Sequence, residues 1–419
     1  MTTLLKSAII IDALSPYHKQ QKDILIADGF IKKITNTIPS KKEYILVEKP
    51  NLHVSCGWFD TSVSFGEPGF EERETIKNGL QVAAKSGFTA VAVNANTFPV
   101  TDHKSAVEFL ISNSTAGNVE VFPIGALTKG SKGDEMAELY DMQQSGAIAF
   151  GDYSKGIASD NLLKISLLYA RNFDGLVISF PKNNSIAGEG IANEGINSTR
   201  LGIKGIPSLS EHLQIARDLY LLEYTDGKLH IPTISTAKSV ALIREARKKG
   251  LQISCSVTPH HLCLTDAMLE GFDSNAKVSP PLRTEADTKA LVKGLQDGTI
   301  DMIASDHNPV DIENKKCEFS LALDGTIGLE SLFGTVNSVL DLETAIEKIT
   351  TGPRAVFGIA IPEIKENTKA NLTLFNPNGE TAFSEDNILS TSKNSVFLGK
   401  QLKGSVYGIY AKNQLILNS

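Results

Sequence analysis

The chain has 419 residues and a mass of 45.2 kDa, which suits one large domain with a smaller companion. With 41% hydrophobic and 21% charged residues it can bury a sizeable core, and its net charge of −7 excludes retention on nucleic acid or anionic lipid by overall charge. No apolar run approaches the ~18 residues that span a membrane. Asp12 interrupts the short apolar start and no small-residue cleavage site follows, so no secretory leader is expected. Cys56, Cys255, Cys263 and Cys317 form no CxxC pair and no disulfide framework, which fits a reducing cytoplasm and cysteines buried as small hydrophobes.

In chain order, the first fifty residues read as β. Ile9–Ile11 is an apolar run, and Asp23–Ala27 leads through the turn Asp28-Gly29 into Phe30–Thr35. The middle alternates β-branched runs with helical stretches. Strands are expected at Trp58–Phe65, Phe88–Val93, Val119–Pro123, Ala147–Gly151, Leu176–Phe180, Leu229–Ser235, Gln252–Val257 and Asp301–Asp306. Helical periodicity is clearest over Lys104–Ser112, Asn161–Tyr169, Ser239–Lys249 and Glu285–Gln296, and Ser210-Glu211 opens a further helix. The C-terminal fifty residues read as β again, at Asn371–Phe375, Ser395–Leu398, Ser405–Tyr410 and Gln414–Leu417. Eight strands alternating with helices indicate a (β/α)8 barrel, and β-rich ends indicate a small β-sandwich built from both termini. A doubly wound open sheet is the rival, but no GxGxxG follows the first strand of the middle region. The expected division is 1–54 and 366–419 for the two parts of the sandwich and 55–365 for the barrel.

Barrel chemistry sits at the C-terminal ends of strands. That rule marks Ser62, Ser64, Asn94–Asn96, Asp152, Phe180, Thr233 and Asp306-His307. Asp306-His307 is the strongest candidate for a base or ligand, against an aspartate that merely caps the next loop. His260-His261 are adjacent, and in extended chain they point opposite ways, so they do not share a metal and at least one is structural. The eight histidines include no HxH and no HExxH.

Longer motifs narrow the reading. EPGFEERETI (Glu67–Ile76), SIAGEGIANEG (Ser185–Gly195), RLGIKGIP (Arg200–Pro207), VTPHHLCLTD (Val257–Asp266), NAKVSPPLR (Asn275–Arg283), IGLES (Ile327–Ser331) and KNSVFLGKQLKG (Lys393–Gly404) resemble the bacterial long-type dihydroorotase, a member of the amidohydrolase superfamily. The resemblance covers essentially the whole chain. It implies the same barrel and sandwich, a link to pyrimidine biosynthesis, and an enzyme that cyclises carbamoyl aspartate with bound zinc.

The departures from that family matter as much as the matches. The family's DxHxH, which supplies two zinc ligands, reads Asp60-Thr61-Ser62-Val63-Ser64 here, and its next arginine falls at Gly66. The later ligand histidines fall at Phe180 and Thr233. The resemblance keeps the bridging aspartate as Asp152, although Tyr153-Ser154 departs there, and keeps the ligand and general acid/base as Asp306. The substrate asparagine before the paired prolines becomes Ser279, the last histidine of DHxPH becomes Val310, and Asn96 is the one substrate contact that matches. A catalytic zinc needs about three protein ligands and an open position, and two carboxylates do not supply them. Without it the nucleophilic hydroxide is lost.

The expectation is a pseudoenzyme with no cofactor, kept as a non-catalytic scaffold subunit. Family precedent names aspartate carbamoyltransferase as partner and a homodimer as assembly. An alternative is an active cyclic amidohydrolase with one weakly held divalent metal such as zinc, in which Asp152, Asp306, His307 and Asn96 carry the work with Asp306 as base. A third reading is a metal-free metabolite sensor walled by Asn96 and Ser62.

Overall fold

The computed structural model describes residues 2–115 and 117–418. The first and last residues of the expected sandwich segments therefore lie outside the described residues. The strands in chain order are β1 (Thr2–Ile10), β2 (Gln21–Ala27), β3 (Phe30–Thr35), β4 (Tyr44–Val47), β5 (His53–Cys56), β6 (Trp58–Val63), β7 (Phe88–Val93), β8 (Glu120–Gly125), β9 (Ala149–Phe150), β10 (Val177–Ile178), β11 (Ala192–Asn193), β12 (Gly205–Ile206), β13 (Leu229–Ile231), β14 (Ile253–Val257), β15 (Met302–Ile303), β16 (Leu372–Ala382), β17 (Gln401–Ala411) and β18 (Gln414–Leu417).

The parallel barrel runs β6-β7-β8-β9-β10-β13-β14-β15. It closes where Ser64 N–H donates to the His307 carbonyl (2.7 Å) and His307 N–H donates to that of Ser62 (3.2 Å). All eight expected barrel strands are present, several shorter than their apolar runs. β15 stops at Ile303 because the Asp60 carboxylate takes the Ser305 N–H (3.1 and 3.2 Å) that a longer ladder would use. β7 is buried at every position, as a parallel strand covered on both faces must be.

Strands from both ends of the chain form the second sheet, in the order β18-β17-β16-β5-β1-β2-β3 with β4 beside β1. Its own core gathers Leu5, Ile24, Ile26, Val54, Leu372 and Leu374. Trp58, at the start of β6, packs against Phe88, Phe333 and Phe375 with centroids 5.8, 4.9 and 5.6 Å away. This aromatic cluster fixes the sheet to the N-terminal end of the first barrel strand and leaves the C-terminal end clear.

Two expectations are corrected. Ser395–Leu398 is a turn, not a strand. Ser395 Oγ accepts the Phe397 N–H (3.2 Å), and Val396 and Phe397 are buried in a local cluster with Ile327 and Leu402. A short apolar run does not distinguish a strand from a buried turn. His260 and His261 lie on a short helix, Pro259–Cys263, not on extended chain. His261 is held by Thr258 Oγ1 (2.6 Å) and the Pro280 carbonyl (3.0 Å), so it is structural. Among the described residues no helix is long and apolar enough to cross a membrane.

Candidate functional site

A cavity opens at the C-terminal end of the barrel, lined by Ser62, Asn94, Asp152, Tyr153, Phe180, Thr233 and Asp306 among others. Of the residues that the strand-end rule marks, Ser62, Asn94, Asp152, Phe180, Thr233 and Asp306 come from six different strand ends to this one place, whereas Ser64, Asn96 and His307 do not line it. Its volume is about 30 Å³. That is room for a few waters at most, against the ~300–1,000 Å³ of an ordinary small-molecule pocket.

The two carboxylates kept from the family pattern are already engaged. Asp306 Oδ1 accepts the Tyr153 hydroxyl (2.9 Å) and the Ser62 hydroxyl (3.1 Å). Asn94 Nδ2 donates to Ser62 Oγ (3.1 Å) and Ser64 Oγ (3.4 Å), so both serines at lost histidine positions belong to one hydrogen-bonded chain. Asp152 accepts the Thr128 N–H (3.0 Å) and the Thr128 hydroxyl. Burial raises the Asp306 carboxyl to about 6, opposed by its Tyr153 and Ser62 hydrogen bonds. Burial also raises Asp152, again opposed by Thr128. Asp60, wholly buried beneath the cavity, is pushed up to about 7 by burial despite hydrogen bonds to Ser305 and Ser62. Tyr153 is raised well above its ordinary value by burial and by the Asp306 carboxylate, so it remains a neutral donor.

The donor set does not fit zinc. Among the described residues no three His, Cys, Asp or Glu side chains are placed to hold a metal ion. His307 Nδ1 accepts the N–H groups of Gly328 (3.2 Å) and Leu329 (3.4 Å), which leaves Nε2 carrying the hydrogen, and burial lowers its pKa to about 3. It is a neutral, buried ring that supports the strand closure. Phe180 lines the cavity with carbon, and Thr233 offers one hydroxyl. Thr233 and Asp306 keep positive φ values of 53° and 48°. For a β-branched residue such as Thr233 that conformation is strained, and strain of this kind concentrates at functional sites.

The remaining recognition positions are rebuilt. A Cβ at Gly66 would lie 1.9 Å from the Phe70 carbonyl oxygen, because the loop folds back with Phe70 N–H on the Gly66 carbonyl (2.7 Å) and Gly66 N–H on that of Glu74 (2.8 Å). Val310 is buried, its N–H bound to Asn394 Oδ1 (3.1 Å). Asn96 does not line the cavity, and its Oδ1 and Ser279 Oγ are buried with no hydrogen-bond partner among the described residues. Tyr153 is the residue that sequence reasoning left without a role. Its signal was its place beside Asp152 at a strand end, where the chain leaves the family pattern.

Tyr153→Phe removes one of two donors to Asp306 while keeping the ring. We expect a loss of about 1–2 kcal/mol in denaturant unfolding at pH 8, because a buried carboxylate loses a partner. A stability unchanged within ~0.3 kcal/mol would show that the hydrogen bond does not hold the site together.

The comparisons with known proteins agree with this architecture. A family profile described as Dihydro-orotase-like matches residues 53–239. The dihydroorotase of Geotalea daltonii is 37% identical over 411 residues, covering 97% of this chain and 96% of that protein. The dihydroorotase of Geobacter metallireducens is 39% identical over 389 residues, 91% and 92% of the two chains. Among solved structures, the L-hydantoinase (dihydropyrimidinase) of Arthrobacter aurescens superposes with a TM-score of 0.84 at 20% identity, over 99% of this chain and 96% of that one. The dihydropyrimidinase of Brevibacillus agri NCHU1002 gives 0.84 at 19% identity, over 100% and 95%. At that identity these two speak for the fold, a parallel (β/α)8 barrel with its sandwich, while the full-length relatives above 30% identity decide the family. The chain belongs to the dihydroorotase family.

Proposed function

We propose that this chain is a catalytically silent dihydroorotase homologue of pyrimidine biosynthesis, working in the cytoplasm as a non-catalytic subunit. The observation that carries the reading is the engagement of Asp306 Oδ1 by Tyr153 and Ser62 and of both Asp152 oxygens by Thr128. Protein hydroxyls and an N–H stand where a cation would need oxygen lone pairs. The small cavity and the loop closed onto Gly66 support it, since a dianionic substrate would find neither space nor an arginine. Family resemblance proposes aspartate carbamoyltransferase as the partner. Co-purification from the source cell tests that pairing, and clean separation of the two chains at physiological concentration argues against it.

The decisive test of silence is metal content together with turnover. After zinc loading and gel filtration we expect below ~0.1 zinc per chain, against one or two for a catalytic site, and no detectable dihydroorotate hydrolysis. Stoichiometric zinc with turnover would overturn the reading.

One observation favours a second reading, an altered amidohydrolase. Asp306 faces the cavity with a carboxyl titrating at about 6, in the range of a general base. Turnover of any cyclic amide that disappears in Asp306→Asn would establish it.

A further inference from the structure

The cavity among the strand ends is not the largest in this chain. On the flank of the barrel, where β16 and β17 meet the helices Ile76–Lys85 and Leu329–Val339, a second cavity of about 360 Å³ opens, and it shares no lining residue with the first. That volume lies within the ~300–1,000 Å³ of ordinary small-molecule sites. Its apolar walls are fixed. The Phe333 ring packs on Trp58 and Phe375 with centroids 4.9 and 5.2 Å away, and Phe383 and Leu402 are buried in one local cluster. Helix and strand touch at Gly334, where a Cβ would lie 2.6 Å from that of Leu402.

The cavity also holds two charges of opposite sign that do not meet. Glu330 and Lys85 both line it, and among the described residues neither has an ion-pair partner within 4.0 Å. The Glu330 oxygens accept the Leu389 N–H and the Ser390 hydroxyl (2.6 Å), one donor each. Burial raises its carboxyl, opposed by those hydrogen bonds and by Lys393. Lys393 acts only from a distance, because its ammonium is spent on the Ile388 and Ser390 carbonyls (2.6 and 2.8 Å). Lys85 ends its helix half-buried, and its ammonium makes no hydrogen bond among the described residues. Beside it, Asn418 Nδ2 donates to the Lys85 and Val406 carbonyls (2.8 Å each), which leaves Asn418 Oδ1 buried at the wall without a partner.

We propose that this cavity is a binding site for a free α-amino acid with an apolar or aromatic side chain. The ammonium of the ligand sits at Glu330, its carboxylate at Lys85, and its side chain among Phe333, Phe383 and Leu402. Each Glu330 oxygen carries one protein donor and keeps lone-pair capacity for an ammonium. Two charges held apart across an apolar pocket complement a zwitterion, whereas a plain acid or a plain amine leaves one of them unmet. A bound amino acid bridges the barrel helices and the β16–β17 hairpin. The proposal is independent of the silent reading, since none of these residues lines the barrel cavity.

The test is isothermal titration calorimetry on the full-length chain with three probes. L-Phenylalanine carries both charges, 3-phenylpropionate the carboxylate alone and phenethylamine the ammonium alone. L-Phenylalanine is expected to bind once per chain with a Kd below ~1 mM, about tenfold or more tighter than either analogue. Lys85→Gln should weaken L-phenylalanine to the level of phenethylamine, and Glu330→Gln should weaken it to that of 3-phenylpropionate. Far-UV circular dichroism and melting temperature show that each variant still folds. Should Glu330→Gln unfold by losing its hold on Leu389 and Ser390, Lys85→Gln decides, because its ammonium has no partner to lose. Asp306→Asn is expected to leave binding unchanged. No heat with L-phenylalanine at ~10 mM, 3-phenylpropionate binding as tightly as the amino acid, or an indifferent Lys85→Gln overturns the proposal. Loss of binding in Asp306→Asn overturns it too, because the ligand then sits in the barrel cavity.

Discussion

At pH 8, Asp306→Asn is expected to make the protein more stable, by about 1–3 kcal/mol in denaturant unfolding. The folded carboxyl titrates at about 6 against an ordinary value of 3.8, and each pKa unit is ~1.4 kcal/mol, with contact to the cavity water reducing the full value. The sign follows from the proton balance. Between the two values the unfolded chain binds fewer protons than the folded one, so stability falls as pH rises from about 4 to about 6 and stays reduced above. The amide carries no charge to desolvate, and its oxygen still accepts from Tyr153 and Ser62. The gain should therefore vanish near pH 4, where the wild-type carboxyl is protonated. Asp60, pushed up to about 7, extends the wild type's decline toward neutrality. The measurement is the unfolding free energy of both proteins at pH 4, 6 and 8. A variant less stable than wild type at pH 8 would mean that an unseen cation or other charge partner neutralises Asp306, and the proposal of a silent site would fall with it.

Restoring the family's substrate arginine by Gly66→Arg is expected to cost about 3 kcal/mol and to create no activity. The loop from Gly66 to Glu74 occupies the space such a side chain would need. A new Cβ must displace the Phe70 backbone carbonyl, 1.9 Å away, and backbone does not yield as a flexible side chain would. The loop is also latched from outside. The buried Glu74 carboxylate accepts from Thr391 N–H (3.1 Å), Thr391 Oγ1 (2.8 Å) and Asn78 Nδ2 (2.9 Å), and Ser392 Oγ donates to the Arg73 carbonyl (2.9 Å). Moving Phe70 strains this latch. If the variant unfolds at wild-type denaturant concentration, the loop stands open in solution and the pocket is larger than the cavity described above.

These two expectations share one cause. The positions that the resemblance assigns to a metal and an anionic substrate hold hydroxyls, an aromatic ring and a folded-back loop. Losing histidines removes affinity; filling their space with hydrogen-bonded protein removes the room in which affinity could return. The Thr233 backbone is strained at the position where the resemblance puts a lost ligand. That conformation is held at the end of β13 by β14, where Ser256 Oγ accepts the Thr233 N–H (3.2 Å).

The amino-acid sequence alone determined the barrel, the two-ended sandwich and the list of strand-end residues. Those rest on local physics: apolar runs of strand length alternate with helical periodicity, and Asp152, Thr233 and Asp306 stand at the ends of such runs. The motifs likewise reveal which family positions have changed. The tertiary structure alone decided what replaced them. That Tyr153 reaches Asp306 from another strand, that Asn94 links two serines of β6 and the segment after it, and that Thr391 latches the loop at Glu74 are contacts between segments distant in the chain. The turn at Ser395–Leu398 and the helix carrying His260 and His261 were misread for the same reason. A short run carries too little periodicity to choose a conformation, and burial against distant partners chooses it.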